Sequence, residues 1–484
     1  MSKYQRFIPL LFWIAALCLP TNSAAQGQIN LQVESSALVG TGRFSPFWLI
    51  TNQYGLLSTN KNQAYLRAEG SYSYAINQHA QLKAGMDIVG AVHSDRTAYL
   101  RQAYIETSYR SLTLTIGAKN RYSGLLNTAL SSGDMVHSTN AAPIPEINLS
   151  IRDFQPIPFT NGWLKLKGDI AIGRSFDSRY LRSHLNTPTD YVEKMLWHHK
   201  SLYLRVGKRN ALPVTLALGL QHWAQWGGSS TNPAVGKQPS SLQDFWKVFC
   251  GSEGGNGSTW ADAVNVLGNH YGSYDLMLTY DSHPVQLTAY HQHYFEDKGG
   301  MEWSNGLDGL WGGTLTLPRW RYVHTLLFEY VTTRNQSGPL HFIDYDHTAH
   351  PGRGGGCDNY YNNGEYATGV SYYQHTLGNP LLINPAYSQQ LGFKHNRIRA
   401  YHVAATGQIK PGLSYKIHFS HTTSWGRMEY PISQPEQLTA IGLQCTYDLR
   451  KHPAWQVEAS TGCDWGTLLG DSWGMQLLVR WSMH

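Results

Sequence analysis

Three parts of the chain combine aromatic rings with carboxylates and amides, a combination that suits the binding of sugars. They are residues 221–228, residues 295–301 with 308–312, and residues 335–339 with 358–364. Trp and Tyr rings stack on the apolar faces of pyranoses, while Asp, Glu and Asn form hydrogen bonds with sugar hydroxyls. The candidate stacking residues are Trp223, Trp226, Trp311, Tyr360 and Tyr361. The candidate hydrogen-bonding residues are Glu296, Asp297, Asp308 and Asn359. Packing within folded loops is the alternative, since loops need Gly, Asn and Asp for their turns.

Catalysis has weaker support in the same segments. Two of the carboxylates of Glu296, Asp297 and Asp308 could hydrolyse a glycoside, but only at a fixed separation that the sequence does not give. A serine hydrolase would need a Ser–His pair near the rim of a barrel. His418 and Ser420 share one face of a strand, a spacing that chance also produces. We therefore expect a protein that is not an enzyme and has no catalytic residue.

Motifs for metals, cofactors and nucleic acids are missing from the sequence. His198, His199, His347 and His350 are scattered, and there is no CxxC or zinc-ligand spacing. The glycine run 354–356 is not followed by Lys-Ser or Lys-Thr, so it is not a phosphate loop. The sequence predicts no metal, no cofactor and no nucleic-acid partner.

Composition indicates which elements carry these segments. Charged residues make up 14% of the 484 residues, compared with roughly 25% in a usual soluble domain. They are replaced by uncharged polar residues together with 30 Tyr, 16 Trp and 47 Gly. So many aromatic residues argue against disorder. The only long apolar run is residues 7–19, which argues against a bundle of membrane helices. A large all-β protein remains.

The first 25 residues have the features of a secretory signal peptide. Lys3 and Arg6 precede the apolar run, and small residues at 23–25 form a cleavage site. Residues 26–484 are then one exported domain, with a formal charge that falls from +6 to about +4. An N-terminal anchor helix is the alternative, but the run is short for a membrane span.

Apolar and polar side chains alternate in segments of about ten residues, as in transmembrane β-barrels. Residues 82–89, 274–280, 413–420 and 475–484 show the pattern best. Tight turns near residues 77–79, 208–213, 281–284, 408–412 and 451–454 are separated by long connections. The long connections lie near residues 174–199, 223–271, 294–311 and 334–395. This asymmetry predicts a closed antiparallel barrel of about 18 strands, with periplasmic termini and long extracellular loops.

The strand alternation assigns several charges to the lumen. The basic ones are Arg67, Lys83, Arg101, Lys165, Lys167, Arg205, Arg399, Lys416 and Arg480, and the acidic ones are Glu69, Asp87, Asp169 and Glu329. We expect most of them to pair as structural ladders. A slightly basic lumen that attracts anions is the functional alternative.

The four cysteines beyond residue 25 leave disulfides open. Cys445 and Cys463 flank the turn at 451–454 and should face each other on the lipid side, either bridged or as free thiols. Cys250 and Cys357 lie in two different outer loops, and a bridge between them would join the loops.

An ordered set of short segments resembles the Wzi-type capsule assembly family of Bacteroidetes outer membranes. The segments are FSPFW at 44–48, LWHHKSLYLRVG at 196–207, GLQHWAQWGG at 219–228, GNH at 268–270, QHYFEDKGGM at 292–301, DGLWG at 308–312, NQSGP at 335–339, NYYNNG at 359–364 and GNP at 378–380. The resemblance implies an outer-membrane lectin that binds capsular polysaccharide or exopolysaccharide and helps retain it on the cell surface. Outer-membrane lipid would be its other partner.

Two further functions compete with polysaccharide binding. A diffusion porin for sugars or anions would exploit the basic lumen. An outer-membrane hydrolase acting on glycan or lipid would exploit the loop carboxylates.

Overall fold

Eighteen long strands dominate the chain. The computed structural model describes residues 27–186, 189–208, 210–254, 266–340 and 356–483; the predicted signal peptide lies outside them. The strands are β1 (Gly27–Gly40), β2 (Gln63–Asn77), β3 (Ala80–Val92), β4 (Ala98–Tyr109), β5 (Leu112–Ala118), β6 (Glu146–Pro156), β7 (Leu164–Arg174), β8 (Leu196–Val206), β9 (Val214–Trp226), β10 (Asn269–Ser282), β11 (Val285–Phe295), β12 (Gly309–Thr316), β13 (Thr325–Thr332), β14 (Ile398–Lys410), β15 (Leu413–Gly426), β16 (Pro431–Asp448), β17 (Trp455–Trp465) and β18 (Ser472–Met483).

The strands form one closed antiparallel sheet. Each strand pairs with its neighbours in chain order, and β1 pairs with β18 from Leu31↔Met483 to Gly40↔Gly474. Closure removes both sheet edges, so every strand finds backbone hydrogen-bond partners within the membrane. The predicted closed barrel of about 18 strands is confirmed.

The connections at the two ends of the barrel differ in length. At one end they include the two-residue turns 78–79, 110–111, 283–284 and 411–412. At the other end the long connections are 41–62, 119–145, 175–195, 227–268, 296–308 and 333–397. Short turns are periplasmic in barrels of this kind, so the long connections are extracellular. The sequence analysis had recognised four of these six.

Side chains alternate across the barrel wall as the sequence predicts. On β18, Leu477 is 55% exposed on the outer face while its neighbour Leu478 is 5% exposed on the inner face. Leu276, Leu278, Tyr280, Ile417 and Phe419 likewise point outward, where lipid replaces water.

Some of the predicted lumen charges form a ladder of ion pairs, among them Arg67, Arg101 and Asp87. Asp87 on β3 is fully buried and accepts a 2.7 Å hydrogen bond from Arg101 Nε and one of 3.0 Å from Gln102 Nε2. A β-bulge opposite Asp87 and Ile88 turns these two consecutive β4 residues into the lumen. Arg67 Nε adds a third contact at 3.0 Å. Buried charges persist in this setting because each one has partners.

Arg399 corrects the predicted lumen assignment. It shares the outward face of β14 with Tyr401 and Val403, both of which are exposed, whereas His402 is fully buried inside. The strand has reached the extracellular boundary at this point, where an outward charge meets head groups or water instead of acyl chains.

The predicted cysteine pairing is also wrong. Cys445 pairs with Ala459 and Cys463 with Ile441, so the two cysteines do not lie opposite each other. These two cysteines, Cys250 and Cys357 are all free thiols.

Four short helices complete the architecture: α1 (Phe47–Ile50), α2 (Ser178–His184), α3 (Leu242–Cys250) and α4 (Lys298–Met301). All four lie in the extracellular connections. Within the described ranges, no helix has the length and apolar character that a membrane crossing requires.

Candidate functional site

Three extracellular connections fold back into the barrel and fill part of its lumen. They are residues 41–62, 119–145 and 356–397, which together we call the plug. Their apolar side chains form one core with the inner faces of the strands; fully buried members include Phe47, Met135, Val136, Tyr361, Leu382 and Phe393. Polar atoms enter the lumen with them and need partners, because an unpaired buried donor or acceptor costs about 1–3 kcal/mol.

The carboxylate of Glu329, on β13, fixes the second plug segment. Glu329 Oε1 accepts hydrogen bonds of 2.7 Å from the hydroxyls of Ser131 and Tyr290. Glu329 Oε2 accepts one of 2.7 Å from the backbone N–H of Ser132. The side chain is fully buried. Moving the segment away would leave these buried donors without an acceptor, so the contact holds the segment in one position.

Asp134 is held to the wall by two glutamine side chains. Gln221 Nε2 donates to Asp134 Oδ2 at 3.1 Å and to Asp275 Oδ2 at 2.9 Å. Gln292 Nε2 donates to Asp134 Oδ2 at 2.8 Å, and Gln292 Oε1 accepts from Met135 N at 3.0 Å. The alternation of β9 and β11 turns both glutamines inward, where their amides join plug and wall.

Helix α1 carries the first plug segment across the lumen. The Phe47 N–H donates to Asp464 Oδ2 at 2.8 Å. Trp48 Nε1 donates to Ser420 Oγ at 3.1 Å, and the Trp48 ring stacks on His418 with centroids 4.7 Å apart. The Ser–His pair noted in the sequence is thus covered by the plug.

A cavity of about 290 Å³ lies beneath the plug, toward the periplasmic ends of β15, β17 and β18. Trp48, Leu49 and Asn52 contribute to it from the plug. Its charged lining residues are Arg67, Arg101, Lys416, Arg480, Glu34 and Glu458. Basic side chains outnumber acidic ones there, in agreement with the slightly basic lumen considered from the sequence.

Trp223 lies inside the barrel between two imidazole rings. Its ring centroid is 4.2 Å from that of His199 and 4.6 Å from that of His137, with interplanar angles of 13° and 15°. The side chain is only 4% exposed. A sugar needs one free ring face, so the stacking role predicted for Trp223 is wrong, and the ring supports the plug instead.

Trp226 faces the outer side of the barrel beneath helix α3. A capping box between Ser241 and Asp244 begins this helix, and Gly251 ends it at a φ of 64°. The buried cluster under the helix contains Ala224, Trp226, Val248 and Leu267. Trp226 is 2% exposed, so its ring is also not free to stack on a sugar.

Tyr360 and Tyr361 are fully buried within the plug. The Tyr361 hydroxyl donates to Met135 O and accepts from Asn379 N, at 2.9 Å for the second bond. The Tyr360 hydroxyl accepts from Asn305 Nδ2 at 2.8 Å. Tyr361 connects two plug segments and Tyr360 connects the plug to loop 296–308, which corrects the stacking role predicted for both rings.

The predicted hydrogen-bonding residues do come together. Glu296, Asp297, Asp308 and Asn359 converge with Asp358 where the loops 296–308, 333–340 and 356–397 meet. We call these five residues the rim site. Backbone N–H groups and neighbouring side chains form hydrogen bonds with its carboxylates.

The pKa values of Glu296 and Asp358 are raised, so both carboxyl groups keep a proton at higher pH than usual. Glu296 Oε1 accepts hydrogen bonds of 2.6 Å from the Tyr294 hydroxyl and from Tyr361 N, yet burial raises the pKa of Glu296 to about 8. Asp358 accepts a 2.6 Å hydrogen bond from Ser337 Oγ. Burial, and then the charge of Asp297, raises the pKa of Asp358 to about 7. Near neutral pH the rim site can therefore offer both donors and acceptors.

Asp308 and Asn359 order the same loops. Asp308 Oδ2 accepts from the backbone N–H groups of Gln336 at 2.7 Å and Asn335 at 3.0 Å, and burial raises the pKa of Asp308 to about 6. Half-buried Asn359 donates through Nδ2 to Glu429 Oε2 at 3.4 Å. Asp308 is buried, whereas Glu296, Asp297 and Asn359 are half-buried.

Trp311 belongs to the outer wall. It pairs in register with Tyr330, which pairs in turn with Tyr401, and all three rings face outward. The Trp311 ring stacks on His291 with centroids 3.6 Å apart. Aromatic rows of this kind mark the membrane interface of barrels. Trp311 therefore fits an interfacial anchor better than the predicted stacking platform.

The sequence analysis missed one exposed ring beside the rim site. Tyr430 is 64% exposed in the short loop 427–430, next to Glu429, which contacts Asn359. The guanidinium of Arg427 lies 4.5 Å from the Tyr430 ring centroid. A short loop gives little pattern in sequence, and only its contact with the third plug segment places Tyr430 here.

Over the described part of the chain, no group of three or more His, Cys, Asp or Glu side chains could hold a metal ion.

These features define a class: an 18-stranded outer-membrane β-barrel with a lumen filled by its own extracellular loops. The model of the capsule assembly protein Wzi family matches residues 46–466. The chain belongs to this family. A comparison with curated protein sequences gives no significant match.

Solved structures agree with the fold. Wzi of Escherichia coli, an outer-membrane protein involved in group 1 capsule assembly and described as a carbohydrate-binding β-barrel, is 13% identical. The similarity covers 93% of this chain and 83% of that one, with a TM-score of 0.56. OprD of Pseudomonas aeruginosa is 10% identical over 94% of this chain and 95% of its own, with a TM-score of 0.46.

Proposed function

We propose that this protein binds capsular polysaccharide or exopolysaccharide at its extracellular end and helps retain the polymer on the cell surface, without catalysing a reaction. Membership of the Wzi family carries the proposal, because a protein of the same fold is described as a carbohydrate-binding barrel of capsule assembly.

The rim site gives this proposal a location. Asn359 contacts Glu429, the residue before the exposed Tyr430, so a hydroxyl-binding group and a stacking face occur in neighbouring loops. That combination is what a pyranose needs. Each sugar contact can be weak, since contacts along one polymer add by multivalency.

The plug favours surface binding over the alternative of a diffusion porin. Its segments are joined to the wall by buried hydrogen bonds at Glu329, Asp134 and Asp464. Opening a path would break several of these bonds at once. Recordings in planar bilayers separate the two functions: a binding protein gives no stable open level, and a porin gives one.

Deletion of the gene is the first experiment. We expect polymer to be synthesised at the usual level but to move from the cell surface into the medium. An unchanged partition would contradict the retention role.

Variants then test the location. We expect the double variant Asn359→Ala, Tyr430→Ala to shed polymer while its barrel remains folded. Tyr322→Ala is the matched control, because Tyr322 is similarly exposed, at 67%, but lies in a periplasmic turn. Equal retention in both variants would contradict the rim site as the binding surface.

A further inference from the structure

The outward side chains of β13, β14 and β15 change in type from one row to the next toward the extracellular end. Phe328, Val403 and Phe419 form one row across the three strands. Tyr330 and Tyr401 belong to the next outward row, with ring centroids 5.3 Å apart. Acyl chains and the membrane interface are the usual neighbours of such rows.

Above the tyrosines the outward side chains become cationic. Arg399 occupies the following row, paired with Thr332 and Thr423. Arg397 comes next and exchanges backbone hydrogen bonds with the end of β15 at Trp425 and Gly426. Four residues separate the Arg399 row from the Phe328 row, a distance of about 13 Å along a strand.

Two guanidinium groups lie near one indole ring. The Arg334 guanidinium lies 4.1 Å from the Trp425 ring centroid, and that of Arg399 lies 5.7 Å from it. The third arginine joins them through the backbone, because Arg397 Nε donates to the backbone carbonyl of Arg334 at 3.0 Å.

Among the residues that the structure describes, Arg334, Arg397 and Arg399 form no ion pair, whereas Arg67, Arg101 and Arg480 in the lumen do. The neighbouring Glu436 lies instead 3.7 Å from His395 Nε2. Three like charges held close together repel each other unless an anion joins them.

We propose that Arg334, Arg397 and Arg399, with Trp425, bind a phosphate group on the head of an outer-leaflet glycolipid. Arginine presents parallel N–H donors that match phosphate oxygens. The position on the lipid-facing wall selects a lipid over a soluble anion, since the acyl chains of the same molecule can lie along Phe328 and Val403. This inference does not depend on polysaccharide binding at the rim site.

The test uses the full mature protein in detergent and lipid A as the probe. Native mass spectrometry compares the binding of bisphosphorylated lipid A with that of the same lipid A without phosphates. We expect the protein to prefer the phosphorylated form by about tenfold or more, as the loss of charged hydrogen bonds implies. The triple variant Arg334→Gln, Arg397→Gln, Arg399→Gln should lose this preference.

The matched control removes three exposed arginines from periplasmic turns: Arg110→Gln, Arg319→Gln, Arg450→Gln. It should keep the preference, and heat-modifiable gel migration reports whether each barrel is folded. Equal binding of the two lipids by the unmodified protein would overturn the proposal. So would a folded triple variant that still prefers phosphate. Displacement of lipid A by soluble polygalacturonate, with direct binding lost in the triple variant, would assign the site to an acidic polymer and likewise overturn it.

Discussion

The hydroxyl of Ser131 donates a 2.7 Å hydrogen bond to the carboxylate of Glu329, across 198 positions of sequence. One residue lies in an extracellular connection and the other on the inner face of a strand, so the bond joins the plug to the wall. The plug supplies two of the three donors to Glu329, Ser131 Oγ and Ser132 N, and Tyr290 on the wall supplies the third.

Removing this carboxylate should loosen the plug. Glu329→Ala leaves the donors of Ser131, Ser132 and Tyr290 buried without an acceptor, which should cost about 2–4 kcal/mol. The urea midpoint of barrel unfolding should fall, and planar bilayers should show openings that are absent from the unmodified protein. Glu302→Ala is the control, since Glu302 is exposed in loop 296–308. An unchanged midpoint together with silent bilayers would refute the anchoring role.

The free energy of unfolding should decrease as pH rises, because Glu296 has a raised pKa in the folded protein. Its pKa in the folded protein is about 8, against about 4.3 in an unfolded chain, so the folded state binds more protons between these values. The free energy of unfolding then decreases as pH rises, by up to about 1.4 kcal/mol per pH unit for one group. Glu296→Gln keeps an oxygen acceptor for Tyr294 and Tyr361 but cannot titrate. Its stability relative to the unmodified protein should therefore increase from pH 5 to pH 8, and parallel profiles would contradict the shift.

Trp223 should matter for folding and not for polymer contact. Trp223→Ala empties the space between His137 and His199 and should cost about 3–5 kcal/mol. Trp223→Phe restores a ring in the same stack. We expect polymer retained per folded barrel to be unchanged in the Phe variant, measured as surface polymer divided by heat-modifiable protein. If a well-folded Trp223→Phe variant shed polymer, Trp223 would have to be counted as part of the binding surface.

Thiol labelling should find no disulfide among the four described cysteines. After denaturation without reductant, each chain that begins at residue 26 should react with four maleimides. In the native protein Cys250 should react fastest, because it is exposed, whereas burial raises the pKa of Cys357 and lowers its thiolate fraction. Cys250→Ser identifies the fast signal. Two missing labels in the denatured protein would indicate a bridge.

The barrel itself was predictable because lipid outside and water or plug inside impose a period of two on every strand. That pattern predicts which face of β18 carries Leu477 and which carries Leu478. Arg399 was misassigned because charge was equated with the lumen, although at the end of a strand the outer surface has already left the hydrocarbon.

The plug was not predictable in the same way. A connection has no period, so nothing within residues 119–145 distinguishes a loop that projects into solvent from one that enters the lumen. The decision rests on pairs such as Ser131 with Glu329, which become neighbours only when the barrel exists. Aromatic residues in loops therefore suggested sugar platforms, whereas Tyr360 and Tyr361 are plug residues. The spacing of the carboxylates was likewise open in the sequence, because it depends on how the loops 296–308 and 356–397 meet.

The bond between the Phe47 N–H and Asp464 also constrains the order of assembly. Its two residues are 417 positions apart. The first plug segment follows β1 and is among the earliest parts of the barrel to be made, but its partner on β17 is among the last. During insertion into the membrane this segment lacks its contact with Asp464 until β17 has formed. Its docking therefore coincides with the closure of β1 against β18. A polypeptide that ends before β17 would lose two strands, and the first segment of its plug would also lack Asp464 as its hydrogen-bond partner on the wall.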